Sequence, residues 1–147
     1  MVRELRISPP GSGLHELTRE ISQVVREFVR ETGAREGLCT VFIRHTSASL
    51  LIQENADPDV RRDLDAFFAR LVPEGDPLYR HTTEGPDDMP GHVRAALTAT
   101  SLSIPIVAGK LALGTWQGIY LWEHRRERSE RSLVVHVSDS TATAPPR

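Results

Sequence analysis

Three histidines stand among polar neighbours: His45 in RHTSAS, His81 in YRHTTEG and His92 in DDMPGH. Imidazoles in such settings suit proton transfer or metal binding, because the ring changes charge near neutral pH and offers a lone pair to a cation. Asp88 and His92 are four residues apart, so on a helix beginning near Asp88 a carboxylate would orient an imidazole. The plain alternative is an N-cap at Asp88 and a partly exposed helix histidine at His92. His45, Thr46 and Ser47 offer an imidazole and two hydroxyls in a row, a set suited to a phosphate or carboxylate; the alternative is a hydrogen-bonded histidine closing a strand.

Two further strings carry ligand-type residues. ENADPD holds Glu54, Asp57 and Asp59, hard oxygen donors that suit magnesium, although helix capping already accounts for Asp57. LGTWQGIYLWEH places Thr115 and Gln117 on the face of a strand-like run, where buried polar groups need partners in a neighbouring subunit or a ligand. Gly114 and Gly118 in the same run call for a bend or a close backbone approach. RRERSER, Arg125 to Arg131, is interrupted by two acids and reads as a solvated hairpin rather than a nucleic-acid site. His15, His124 and His136 have no distinguishing context, while Glu123 is placed to pair with one of the arginines.

The elements that must position these residues follow from hydrophobic spacing. Val2 to Ile7 reads as an edge strand before a Pro9 to Gly13 turn cluster. Leu17, Ile21, Val24, Val25, Phe28 and Val29 form one helix face that ends at Gly33. Leu38 to Arg44 alternates with period two, and Leu50 to Ile52 resumes as a second strand, leaving His45 where a strand meets polar residues. Asp57-Pro58 starts a second amphipathic helix through Val72, with Asp as cap and Pro in the first turn. Pro73 to Pro90 is a long Pro- and Gly-rich loop of the kind that carries function, followed by a short third helix with Asp88 as its expected cap. The remainder predicts strands at Leu102 to Val107, Leu111 to Trp122 and Leu133 to Val137. The Leu111 to Trp122 strand has no polar face, so it is central in its sheet or covered by another subunit. The expected class is α+β, with antiparallel sheets, about three flanking helices, one domain over 1–138 and a disordered tail over 139–147.

The 147 residues, with 18 Lys plus Arg against 20 Asp plus Glu, suit one small domain and lack the basic excess of a general polyanion binder. A single cysteine, Cys39, cannot form an intrachain disulfide. Charges at Arg3, Glu4 and Arg6 argue against a signal peptide, and no segment approaches the ~20 apolar residues of a membrane span, so a soluble cytoplasmic protein without nucleic-acid or membrane partners is expected. The dinucleotide-binding glycine fingerprint, the phosphate-binding P-loop, the CxxC pair and the zincin HExxH motif are all missing.

RHTSASLLIQENADPDVRRDL, YRHTTEGPDDMPGHVRAAL and GKLALGTWQGIYLWEH resemble the three signature blocks of the YjbQ family, the secondary thiamine-phosphate synthases. The likeness runs from about Gly37 to Val137. It implies a homotrimer with pockets near subunit boundaries, and a weak ability to couple hydroxymethylpyrimidine pyrophosphate to thiazole phosphate with release of pyrophosphate. By matching position it makes His45, His81, Asp88 and His92 the polar centre, with Thr46, Ser47, Glu54, Thr115, Trp116 and Gln117 as its lining. In the corresponding mechanism a cation, or an arginine such as Arg62, neutralises the leaving pyrophosphate while a histidine moves a proton. The competing expectation from the same residues is a metal- or ligand-binding module without turnover, with His81 and His92 holding zinc, magnesium or a similar divalent ion.

Overall fold

The computed structural model describes residues 1–140. The chain runs β1 (Val2–Ile7), β2 (Gly13–Glu16), α1 (Thr18–Thr32), β3 (Gly37–Ile43), β4 (Ala48–Glu54), α2 (Pro58–Leu71), α3 (Asp88–Leu97), β5 (Ser101–Val107), β6 (Lys110–Leu111), β7 (Gln117–Glu123) and β8 (Arg131–Asp139). The strands form a five-stranded sheet, order β1-β8-β3-β5-β6, and a three-stranded sheet, order β2-β7-β4. Every pairing is antiparallel, so the class is α+β, as the spacing predicts.

Period-two alternation explains how the two sheets share one core. Cys39, Val41 and Ile43 of β3 point inward with Ile104, Ile106, Leu133, Val135 and Val137, against Ile21, Val24, Val25 and Phe28 of α1 and Ile119 and Leu121 of β7. Burial pushes the Cys39 thiol up to about 11, which makes it a core side chain rather than a nucleophile. The other face of β7 carries Tyr120 and Trp122, which pack with Leu14 against Leu64 and Phe68 of α2. Trp122 Nε1 also donates to Asp65 Oδ1 at 2.7 Å. β7 is therefore central and covered on both faces within one chain, which answers the missing polar face without a second subunit.

Four sequence expectations change. Leu111 to Trp122 is two strands, because Gly114 N–H donates to Gln117 Oε1 at 2.8 Å and Gln117 N–H to Gly114 O at 3.0 Å, closing a tight turn between them. Gly13, expected at the end of the turn cluster, instead opens a short strand through Glu16, held by its pairing to β7. The N-cap of α3 is Asp87, and Asp88 is its first helical residue. The strand β8 extends through Asp139, and Ser140 N–H donates to Glu36 O at 3.2 Å, so residues 139 and 140 of the expected tail belong to the fold; residues 141–147 lie outside the described residues. Gly33 caps α1 in the left-handed conformation, φ 73°, and Asp57 caps α2 through Asp59 N–H, as expected. Among the described residues no helix is long and apolar enough to cross a membrane.

Candidate functional site

Where α3 begins, one buried carboxylate gathers three cationic or ionisable partners. Asp88 Oδ2 lies 2.7 Å from His81 Nε2 and 3.1 Å from His92 Nε2. Its Oδ1 accepts from Arg125 Nη1, while Arg125 Nη2 donates to Glu84 O at 2.7 Å. Glu84 Oε2 is 3.2 Å from His81 Nε2. The Asp88 side chain is 3% exposed, and the His81 side chain 43%, so the cluster is a floor and a rim. The helical spacing expected for Asp88 and His92 holds, and the Pro- and Gly-rich loop brings His81 back over them. Asp87, in the cap position, spends its carboxylate on Arg126 N–H at 2.9 Å instead of on its own helix.

The hydrogen bonds set the protonation pattern. Burial alone would raise the Asp88 carboxyl, but the His81 hydrogen bond and the Arg125 charge outweigh it and hold the group below its ordinary value. The reciprocal bond to Asp88 raises His81 above the ordinary imidazole value. His92 Nδ1 lies 2.9 Å from Thr46 O, a contact that requires an N–H on Nδ1. Its Nε2 then presents a lone pair to Asp88 Oδ2, an acceptor facing an acceptor, unless something positive lies between them. A proton on Nε2 satisfies the contact, and so does a metal ion. A histidine anchored by its far nitrogen to a backbone carbonyl is the usual support of a metal ligand.

The ligand atoms of His81, Glu84, Asp88 and His92 all lie within 4.8 Å of one another. Ligands around a tetrahedral zinc stand roughly 3.3 Å apart, given metal bonds of about 2.0 to 2.1 Å, so the set would close on a cation by spreading the pairs now in hydrogen-bond contact and drawing in the wider ones. Two imidazoles and two carboxylates suit zinc or another borderline divalent ion better than magnesium, which prefers oxygen.

A second network stands behind the first. Arg131 Nε and Nη2 bond Glu123 Oε2 and Oε1 at 2.6 and 2.5 Å, with side chains only 6% and 2% exposed. Arg131 Nη2 also donates to Ser47 Oγ at 3.1 Å. His45 Nε2 accepts from Ser132 N–H at 2.8 Å, and burial, with Arg131 beside it, lowers the His45 pKa. His45 thus joins the β3 end to β8, one residue from the Thr46 carbonyl that anchors His92. His124 is buried, with Nε2 2.9 Å from Ser49 Oγ; desolvation, with Arg94 and Arg131 nearby, lowers it to about 3.

The structure divides the remaining expected residues. Thr46 and Ser47 lie at the cluster. Glu54 pairs in register with Gln117 at the opposite end of the three-stranded sheet, whereas Ala48 pairs with Glu123 at the cluster end. Six residue steps along β7 separate these ends by about 20 Å, so Glu54, Thr115, Trp116 and Gln117 do not line the histidine cluster of the same chain. Trp116 is 62% exposed at the tip of its turn. Arg62 is exposed on α2 and bonds Asp59 at 2.6 Å, away from the histidines. Asp57 serves as a cap rather than a cation ligand.

Sequence reasoning missed Glu84 and Arg125, while the arginine partner expected for Glu123 is Arg131. Glu84 had a signal, since ligand-type side chains at 81, 84, 88 and 92 recur every three or four residues. Arg125 had none, lying 37 positions from its carboxylate. The arginine-rich hairpin is solvated only in its middle, because both its ends are tied into these networks.

Residues 3–140 match the family described as UPF0047 protein YjbQ-like. UPF0047 protein sll1880 from Synechocystis sp. is 59% identical over 91% of this chain and 88% of its own length. UPF0047 protein YjbQ from Escherichia coli O157:H7 is 40% identical over 90% of this chain and 94% of its own. Among solved structures, an uncharacterized conserved protein of the yjbq/upf0047 family from Clostridium acetobutylicum aligns with TM-score 0.79 and 36% identity, covering 92% of this chain and 99% of that one. The conserved hypothetical protein TT1486 from Thermus thermophilus aligns with TM-score 0.80 and 30% identity over the same shares.

Proposed function

This chain belongs to the YjbQ-like UPF0047 family, and from that premise we propose that it is a small metal-dependent enzyme acting on a phosphorylated substrate. The observation that carries the reading is His92, whose Nδ1 is committed to Thr46 O while its Nε2 and His81 Nε2 converge on the buried Asp88 Oδ2. A divalent cation held there would supply positive charge to an anionic leaving group. Before a cation is held, His81, with its raised pKa and exposed edge, would carry a proton that the arriving cation displaces to solvent. Arg125 fixes the Asp88 carboxylate from the far side and keeps it ionised.

The reaction proposed is the coupling of hydroxymethylpyrimidine pyrophosphate to thiazole phosphate. The thiazole nitrogen donates its electron pair to the pyrimidine methylene carbon, the carbon–oxygen bond breaks, and pyrophosphate leaves with that bond's electrons. We propose further that the chain assembles as a homotrimer. The outer face of the larger sheet supports this with Leu38 at 41% and Phe42 at 47% exposure, and a neighbouring subunit is the route by which a distant Trp116 turn would reach a histidine cluster.

The test measures zinc content and thiamine phosphate formation for wild type, Asp88→Asn, His92→Ala and EDTA-treated protein, with oligomeric state followed by light scattering. Stoichiometric zinc and turnover, both lost in the variants and turnover lost on chelation, are expected. Zinc binding without turnover would leave the metal-binding module as the correct reading. No affinity for any divalent ion in folded protein would refute the cation site.

A further inference from the structure

We propose that the concavity between the Ser47 turn and the β7–β8 hairpin is an oxyanion pocket that takes the phosphoryl or pyrophosphoryl group of a substrate. The cavity has a volume of about 230 Å³ and is lined by Ser47, Arg125, Glu127, Arg128, Ser129 and Arg131. Three guanidinium groups and two hydroxyls against a single carboxylate make a lining of hydrogen-bond donors, the inventory that phosphate oxygens require.

The three arginines contribute differently. Arg131 is neutralised by Glu123 and Arg125 by Asp88, so these two offer oriented N–H groups rather than net charge. Their positions are fixed by those buried partners, which removes most of the ordering cost of gripping an anion. Arg128 spends only its Nε, on Pro10 O at 3.0 Å, and both its Nη groups remain without a partner among the described residues. It supplies the uncompensated charge.

A donor left facing a donor points to the same ligand. The Ser132 N–H requires a lone pair on His45 Nε2, so a neutral His45 ring carries its proton on Nδ1. That N–H faces Arg131 Nη1 across 3.3 Å with no acceptor between them. An anionic oxygen beside the pair would satisfy both.

The pocket also adjoins the cation site. A Cβ added to Gly91, in the first turn of α3, would lie 3.5 Å from Arg125 Cδ and 3.6 Å from Ser47 Cβ. The pocket wall is therefore packed directly against the turn that carries Asp88 and His92. Arg125 belongs to both sites, with its Nη1 on Asp88 and its side chain in the wall. A substrate phosphate seated here would have its reacting end over the histidines. That role rests on the metal-dependent reading above, whereas the capacity to bind an oxyanion does not.

The experiment titrates inorganic phosphate, pyrophosphate and acetate into EDTA-treated full-length protein by calorimetry, for wild type, Arg128→Gln, Ser47→Ala and the distant surface variant Arg70→Gln. Arg125 and Arg131 are left intact because their ion pairs hold the fold. Saturable pyrophosphate binding that weakens about tenfold in Arg128→Gln, falls with added salt and is unchanged in Arg70→Gln is expected. Zinc affinity of Arg128→Gln, measured in parallel, stays at the wild-type value. Absence of saturable phosphate or pyrophosphate binding at millimolar concentration would overturn the pocket, as would wild-type affinity in both Arg128→Gln and Ser47→Ala, or equal affinity for acetate. Pyrophosphate binding in a protein with no zinc affinity would uphold the pocket and refute only the cation site.

Discussion

Removing one half of the Arg131–Glu123 pair should cost far more than removing both. The two side chains are 6% and 2% exposed and meet through two bonds of 2.5 and 2.6 Å, so either group left alone is a buried charge with little water to replace its partner. Breaking such a pair costs about 3 to 5 kcal/mol, whereas replacing both members by apolar groups of similar volume is often close to neutral. The two single changes are not equivalent here. Glu123 Oε1 also accepts Arg125 N–H at 3.0 Å, so Glu123→Leu strands a backbone donor at an added cost of about 1 to 3 kcal/mol, which Arg131→Met does not. For 147 residues the entropy of unfolding is roughly 0.3 kcal/mol per degree, so Arg131→Met should lower Tm by about 10 to 15 °C. Glu123→Leu should lower it further, and the double variant should recover to within about 1 to 3 kcal/mol of wild type. Urea and thermal unfolding of the four proteins at one fixed concentration measure the cycle. Single changes costing under about 1 kcal/mol, or a double variant costing the sum of the two, would refute the reasoning that a dry ion pair holds Ser47 and the β8 start in place.

Zinc at a hundredfold excess over its dissociation constant should stabilise wild type by about 2.7 kcal/mol, a rise in Tm near 9 °C, and leave Asp88→Asn unmoved; equal shifts in both would place the metal elsewhere. His124 is held near 3 against an ordinary 6.5, so the unfolded chain binds the extra proton between those values. Stability should then be full above about pH 6.5 and fall by up to about 5 kcal/mol towards pH 3, and replacing His124 with Phe should flatten that His-dependent part of the acid limb in urea midpoints. Gly37→Ala places a methyl against the Ser138 carbonyl oxygen, which should force β3 from β8 and lower the urea midpoint by several tenths of the wild-type value; an unchanged midpoint would show that the edge yields freely.

The alternation of Cys39, Val41 and Ile43 and the stripe of α1 were legible because each element buries its own periodic face, whereas α2 covers Tyr120 and Trp122 only with the half-buried Leu64 and Phe68 and leaves Phe67 and Leu71 of its stripe exposed. The strand β2 was not legible, since four residues including His15 and Glu16 carry no periodic signal and are extended only because β7 offers them a partner. The glycine at 114 did signal a bend, and only its closure was hidden, since that rests on a glutamine amide that folds back onto the backbone. In the site, Asp88 and His92 showed themselves through helical spacing, and the loop length drew His81 to them. Arg125 could not be read, because a salt bridge spanning 37 positions leaves no pattern along the chain, whereas the expected pairing of Glu123 with one of the arginines holds, with Arg131 as the partner. The nearness of both arginines to Glu127 and Glu130 made the whole segment look solvated. Glu54, Thr115, Trp116 and Gln117 were grouped with the histidines by motif, and the sheet register is what parts them.

The cluster is half rigid and half open, and the division bears on how it would work. Asp88 and His92 lie on one helix turn, pinned by Arg125 and by the Thr46 carbonyl, so two of the ligand atoms are placed before any cation arrives. His81 and Glu84 lie on the exposed loop, joined to the fixed half by the His81 contact with Asp88 and by Arg125 Nη2, which donates to Glu84 O. A cation entering would replace the His81–Asp88 contact with bonds from each to itself, at a cost smaller than that of assembling all four ligands. The same open half leaves a face of the site to solvent, which a catalytic centre needs and a closed structural metal site lacks. The arginine pocket opens beside the rigid half, so an anion bound there meets groups whose positions do not depend on the loop. Under the proposed function, binding and chemistry would be divided between the fixed arginine wall and the solvent-facing histidine rim.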